Sequence, residues 1–215
     1  MSKKKIAIQG ELGAYSHIAA ENLYKGSEIK TCATFEETFK EAYKDPSCKI
    51  VIPIENSLAG RVADIHYLLP KYKLQIHGEH FQTVEHNLLG KPEASLNDIK
   101  YVRSHAQAIG QCQNLIIKKN FKPIISADTA GSAKDLAEGK DKTIAAIASE
   151  LSAKIYNLKI LEKNIEDEKG NVTRFLIMGK NIEQPEFKKE KKFITSCIFR
   201  VKSEPSALYK CLGGF

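Results

Sequence analysis

The chain has 215 residues, 42% of them hydrophobic and 27% charged, with 33 Lys and Arg against 26 Asp and Glu, a formal charge of +7. That length is enough to bury a core without disulfides, and with a mean hydropathy of −0.32 the composition excludes membrane-spanning and acidic disordered classes. The longest unbroken apolar run, 144–148, falls far short of the roughly 18–20 residues a membrane helix needs. The basic start Lys3-Lys4-Lys5 leads through Ile6-Ala7-Ile8 straight into Gln9-Gly10-Glu11, with no apolar stretch of a signal peptide. A cytoplasmic protein with no membrane partner is expected.

The five cysteines, Cys32, Cys48, Cys112, Cys197 and Cys211, are odd in number, widely spaced and without a CxxC pair. That pattern argues against a disulfide framework and a thiolate zinc site. The positive balance gathers at Lys3 to Lys5 and at 188–192 without interleaved aromatics or a reading motif, so solvated charge is expected and no nucleic-acid partner.

Along the chain, short β-type runs alternate with helical patterns. Residues 5–9 form a strand, with a helix opening near Ser16; 29–33 form a strand, followed by a helix capped by Thr34 with Glu37 three residues on. Residues 49–54 form a strand, followed by an amphipathic helix in which Val62, Ile65 and Leu69 share a face and which Pro70 ends. After an extended segment over 74–86, a second series begins. Strand 101–104 precedes a helix through Gln111 and Leu115, 123–126 precedes a helix over 129–137, and 143–148 precedes a helix over 150–156. Such alternation implies largely parallel sheets flanked by helices, with ligands bound at the strand ends. Residues 158–161 are a further strand, 162–170 a loop, 171–178 an apolar strand and 179–192 a linker. The stretch 193–201 and a helix start at Pro205 read as the opening of another α/β unit.

Several stretches offer chemistry, each beside a plainer reading. Gly10 to Ser16 lies between a strand and a helix, as either a tight turn or an anion cradle. Glu55, Asn56 and Ser57 end a buried strand facing the crevice, where Asn56 or Ser57 could equally cap a helix. Ser104 suits an N-cap, and Gln111 is either a solvated amide or a ligand donor. Alternation puts Thr173 and Phe175 on one face and Arg174 on the other; among apolar neighbours that arginine makes most sense opposite a carboxylate, from the protein or a substrate. His77, His80 and His86 lack HExxH or cysteine partners, so no metal is expected.

Taken together, GELGAYSHIAA (10–20), VIPIENSLAG (51–60), VRSHAQAIGQC (102–112), DTAGSAKDLAE (128–138) and NVTRFLIMG (171–179) resemble the prephenate dehydratase family in motif, order and spacing. The resemblance implies an α/β fold of two lobes around a cleft, like the type II periplasmic binding proteins, followed by a truncated α+β ACT domain. Residues 1–180 would be catalytic, with lobe 1 at about 1–80 plus 165–180 and lobe 2 at about 81–164. Residues 181–192 would be a linker and 193–215 an incomplete ACT domain. It implies decarboxylative dehydration of prephenate without a cofactor, in a homo-oligomer.

Thr173 matches the catalytic threonine of that family. Asn56, Ser104 and Gln111 match its active-site polar groups, with Glu55 beside them, and Arg174, Phe175, Ser57, Ser16 and Thr129 would bind substrate. Because decarboxylation supplies the electrons, only a donor at the departing hydroxyl and carboxylate anchors are required. Thr173 would be that donor, Glu55 its rival, and Arg174 an anchor. The sequence departs from the family at Glu11 for proline, Ala14-Tyr15 for Thr-Phe, Ala106 for proline and Asp128 for serine. Pro205, Ser206, Ala207 and Leu208 stand for the ACT ligand segment; L-phenylalanine is the effector implied, although one strand and a partial helix cannot close its pocket. The alternative is a non-catalytic two-lobed protein that binds or senses a small carboxylate.

Overall fold

The computed structural model describes residues 4–181, 186–195 and 197–214. The chain divides into one unit at 1–182 and another at 183–215.

The first unit holds two sheets. Its chain order is β1 (Lys5–Gln9), α1 (Tyr15–Leu23), β2 (Glu28–Cys32), α2 (Phe35–Lys44), β3 (Lys49–Asn56), β4 (Gly60–Arg61), α3 (Ala63–Tyr72) and β5 (Gln75–Thr83). Then follow β6 (Asn87–Gly90), a 3-10 turn (Leu96–Asp98), β7 (Tyr101–His105), α4 (Ala106–Gly110), α5 (Gln113–Lys119), β8 (Lys122–Ser126), α6 (Thr129–Glu138), β9 (Ile144–Ala148), α7 (Glu150–Ile155), β10 (Lys159–Glu162) and β11 (Val172–Gly179). Lobe 1 is the sheet β2-β1-β3-β11-β5 with β4 beside β3, and lobe 2 is the sheet β10-β6-β9-β7-β8.

The sheets are mixed rather than largely parallel. Strands β1, β2 and β3 pair in parallel, as do β7, β8 and β9. The chain leaves lobe 1 after β5 and returns as β11, which runs antiparallel to both β3 and β5. In lobe 2, β6 and β10 are also antiparallel.

Strands buried on both faces explain the near-continuous apolar runs. In lobe 1, alternate residues supply two cores: Ile50, Ile52, Leu176 and Met178 pack with Phe39 and Ile65 on one face. Ile6, Ile8, Val51, Phe175 and Ile177 pack with Ala19 and Ala20 of α1 on the other. Phe39 is wholly buried, and burying a side chain of its size stabilises by about 1.5–3 kcal/mol. Lobe 2 repeats the plan, with Val102, Ala145 and Ile147 facing α4 and α5 and Ala146 and Ala148 facing α6 and α7.

Three local expectations change. Pro70 does not end α3, which runs two residues further to Tyr72 and stops at Lys73 in the left-handed conformation, φ 51°. The helix expected through Gln111 and Leu115 breaks at Gln111 and Cys112, because the Asp167 carboxylate accepts from the N–H groups of Gln113 and Asn114 and starts α5 afresh. In the second unit no described residue of 193–201 is in a strand; Ser196 of that stretch, like residues 182–185 of the expected linker and Met1 to Lys3, lies outside the described residues. A strand needs partners to be stable, and the described residues of that unit form only the helix α8 (Ala207–Leu212). They make no ACT fold.

The lobes join through 84–86 and 163–171, which are tied to each other. The N–H of Val84 donates to the Asn171 carbonyl at 2.8 Å, that of Ile165 to the His86 carbonyl at 2.9 Å, and that of Asp167 to the Gln111 carbonyl at 2.7 Å. A second contact lies at the turn after β1. Ser149 and Ser152 donate to the Gly13 carbonyl at 2.6 and 3.1 Å, and the Tyr156 hydroxyl donates to the Leu12 carbonyl at 2.9 Å. Gly13 has φ +92°, and a Cβ there would lie 2.8 Å from the Ser152 Cα, so both conformation and close approach require glycine. Gly13→Ala should therefore lower stability by about 2–5 kcal/mol in urea denaturation. Gly26→Ala, at φ +71° with nothing within 4 Å, should cost about 1 kcal/mol; equal losses would refute the close-approach argument.

Candidate active site

Between the two sheets lies a cleft of about 490 Å³. Its lobe-1 wall takes Ala14, Tyr15 and Ser16 from the start of α1, Pro53 and Asn56 from β3, Arg61 from β4, and Thr173 and Phe175 from β11. Its lobe-2 wall takes His105, Gln107 and Gln111 around α4 and Asp128 and Thr129 at the start of α6, while Val84, His86 and Asn171 come from the crossovers.

A β-bulge sets which residues face the cleft. Along β11, Arg174 opposes Glu55 but Phe175 opposes Pro53, so Ile54 is an extra residue on β3. Such an insertion changes the alternation, which is how Pro53 and Asn56, three apart, line the same wall. Ile54 turns into the core at 8% exposure. Pro53, with no N–H to give, is tolerated beside a bulge.

Asn56 organises the site. Its Oδ1 accepts from the backbone N–H groups of Leu58 and Ala59 at 3.0 and 2.8 Å. Backbone N–H groups can only donate, so Oδ1 is fixed as the acceptor end and Nδ2 must donate. It donates to Asn171 Oδ1 at 2.6 Å and to Thr173 Oγ1 at 2.9 Å. Asn171 Nδ2 then donates to Gln111 Oε1 at 2.9 Å, and His86 Nε2, also 2.9 Å from that oxygen, must carry the hydrogen. At the far end, the Tyr15 hydroxyl donates to the Glu85 carbonyl at 2.6 Å and lies 3.2 Å from His86 Nδ1. Thr173 Oγ1 accepts from Asn56, and neither its own O–H nor the Gln111 NH₂ has an acceptor among the described residues, so both are free to donate to a ligand in the cleft.

Burial governs the electrostatics. It pushes the Tyr15 hydroxyl well above its ordinary value, helped by the neighbouring Cys112, Glu166 and Glu85. It lowers the His86 pKa, opposed by the Gln111 hydrogen bond and by Glu166. Among the described residues Arg61 is the sole Lys or Arg in the lining and Asp128 the sole carboxylate. Asp128 caps α6 by accepting from the Gly131 N–H, whereas Ala14 leads α1 with no side-chain cap. The His17 N–H turns back to the Ala14 carbonyl at 2.9 Å, which leaves the N–H groups of Tyr15 and Ser16 open at the cleft, as at other helix starts that hold anions.

Of the residues singled out from sequence, Thr173, Asn56, Gln111, Phe175, Ser16 and Thr129 come together on the cleft walls. Four do not. Arg174 points to the other face, where its Nε and Nη2 lie 2.8 and 2.7 Å from Glu79 Oε2 and Nη1 lies 3.5 Å from Glu55. Its carboxylate partner is thus the protein's own. Glu55 sits beside it with a side chain 57% exposed, outside the lining. Ser104 is wholly buried and donates to the Ile147 carbonyl at 2.7 Å; the residue capping α4 is His105. Ser57 lies at the edge, accepting from the Val172 N–H at 3.0 Å. In the second unit, Pro205, Ser206, Ala207 and Leu208 stand at the exposed start of α8, with Ser206 at φ 62°.

Sequence reasoning passed over Asn171, Tyr15 and Arg61 as site residues and weighed His86 only as a metal ligand. For Asn171 a signal existed: 171, 173 and 175 alternate on one face of the strand.

A family model described as prephenate dehydratase matches residues 6–183. A bifunctional N-acyl-homoserine lactone acylase/prephenate dehydratase of Komagataeibacter europaeus is 41% identical over 97% of this chain and 74% of its own length. The chloroplastic arogenate dehydratase/prephenate dehydratase 2 of Arabidopsis thaliana is 38% identical over the whole chain, which spans 56% of that protein. Among solved structures, the prephenate dehydratase of Arthrobacter aurescens in complex with L-Phe superposes with a TM-score of 0.84 at 23% identity, covering 98% of this chain and 71% of that one. The fold and cleft are those of a two-lobed α/β protein, and the family match makes it a dehydratase. The chain belongs to the prephenate dehydratase family.

The buried hydroxyl of Ser104 makes a separate prediction. Ser104→Ala should lower unfolding free energy by about 1–3 kcal/mol, the cost of losing a buried bond and leaving a carbonyl unpaired, while dehydratase turnover stays within a few-fold. Unchanged melting with turnover lost would return Ser104 to the chemistry.

Proposed function

We propose that this chain converts prephenate to phenylpyruvate, carbon dioxide and water. The observation that carries the reading is the Thr173 hydroxyl, which lines the cleft and accepts from Asn56 while its own O–H has no acceptor among the described residues. As the ring carboxylate leaves as carbon dioxide, its C–C electron pair becomes a ring double bond. The C–O bond at the opposite carbon then breaks, and that oxygen keeps the pair and departs as water after taking a proton. Negative charge grows on this oxygen, so a preorganised donor lowers the barrier. A hydroxyl already accepting a charge-polarised N–H bond is a stronger donor than one free in water.

The carboxylate anchors differ from those expected of the sequence. Arg174 is engaged by Glu79 of β5 and Glu55 of β3, so it ties β11 to the strands on either side. We assign anchoring to Arg61, the open N–H groups at the start of α1, and Ser16. Gln111 offers its NH₂ to the ring or side chain from the opposite wall. Phe175, 1% exposed, closes the floor. Glu55, exposed and outside the lining, loses the rival role of proton donor in this reading.

The catalytic unit is residues 1–180. The cytoplasmic setting is supported by five free cysteines, which suit a reducing compartment. Phenylalanine remains the candidate effector, because a solved protein of this fold holds it. Self-association is supported by Phe193, Ile194 and Leu212, all exposed apolar side chains.

Steady-state assay with prephenate, read as phenylpyruvate absorbance in alkali, tests the assignment. Thr173→Val should lower kcat on the order of 10²- to 10³-fold, and Glu55→Gln should leave it near that of the unmodified chain. The reverse pattern would hand the donor role to Glu55.

A further inference from the structure

His86 is 2% exposed and belongs to neither sheet. It sits in the first crossover, held at its backbone N–H, its carbonyl and Nε2. Its N–H donates to Glu166 Oε2 at 2.9 Å, its carbonyl accepts from Ile165, and Tyr15 faces Nδ1 at 3.2 Å. Of the two cleft residues it meets, Tyr15 spends its hydrogen on the Glu85 carbonyl, whereas Gln111 Oε1 accepts from His86 Nε2.

Gln111 itself stands at a weak point of the backbone, the break between α4 and α5. A flexible side chain there needs external bonds to hold one rotamer. Its Oε1 has two acceptor positions, and both are filled, one by Asn171 and one by His86. With both taken, Gln111 can present only its NH₂ to a ligand. A single bond from Asn171 would leave the amide free to swing about that contact.

We propose that His86 is a positioning residue for the dehydratase reaction, fixing the Gln111 amide so that its NH₂ meets the substrate in one orientation. This rests on the reading of the cleft as the dehydratase site. Direct proton donation by His86 is a poorer account: its Nε2 hydrogen is committed to Gln111, and burial favours the neutral ring.

The test uses the full chain and prephenate, with kcat and KM measured for His86→Phe, His86→Gln, His86→Asn, Gln111→Ala and the double variant His86→Phe/Gln111→Ala. His86→Phe keeps ring volume and removes the donor. It should lower kcat on the order of 10²-fold, the scale of a misplaced group, with KM changed far less. His86→Gln puts an amide N–H close to the Nε2 position and should recover most of the rate. His86→Asn reaches only the Nδ1 position and should not. The double variant should be no slower than Gln111→Ala alone, since the two act as one unit.

Additive losses in the double variant, or equal rates for His86→Gln and His86→Asn, would overturn the inference. If His86→Phe does not fold by circular dichroism, the Gln and Asn pair decides by itself. Thr173→Val separates the two levels: slow Thr173→Val with full-rate His86 variants refutes the positioning role alone, whereas full-rate Thr173→Val refutes the reading of the site.

Discussion

Every hydrogen-bonding position of the Asn56 amide is occupied, and the direction of each bond follows from two backbone N–H groups that cannot reverse. Leu58 and Ala59 fix the oxygen end, so the nitrogen end must donate to Asn171 and Thr173. From there the polarity passes to Gln111 and His86. A buried network that is satisfied throughout is rigid, and one that is partly satisfied is costly. That Thr173 accepts from Asn56 and keeps its own O–H free is thus a consequence of a turn at the end of β3.

This network is assembled from parts that lie far apart in sequence. Asn56 and Thr173 belong to lobe 1, Gln111 to lobe 2, and Asn171 and His86 to the two crossovers. Backbone irregularities bring them together: the bulge at Ile54 turns Asn56 to the cleft, and the break after Gln111 frees that residue from the helix surface. The tie between crossovers and the Gly13 contact hold the two sheets at the separation the hydrogen bonds require. Arg174, on the far face, ties β11 to β5 through Glu79 and to β3 through Glu55.

The period of the apolar residues made most strands and helices legible in the sequence, as did the shared face of Thr173 and Phe175, because period-2 alternation survives along β11. What failed were the places where alternation breaks or a partner lies far away. The extra residue at Ile54 decides between Glu55 and Asn56, and it appears only once β3 is paired with β11. Ser104 looked like a cap, but its hydroxyl is used by the Ile147 carbonyl 43 residues on. His86 carried no periodic signal, since its partners Tyr15, Gln111 and Glu166 come from three other segments. The stretch 193–201 has strand composition, yet none of its described residues is in a strand.

The most direct measurement is a crystal structure with a non-reacting prephenate analogue that retains the ring hydroxyl. The account expects that oxygen within about 2.6–3.2 Å of Thr173 Oγ1, hydrogen-bond reach for a catalytic donor, with Asn56 still donating to Thr173 and Arg174 still paired with Glu79. A ring hydroxyl held by Glu55, or an analogue carboxylate held by Arg174 released from Glu79, would contradict it.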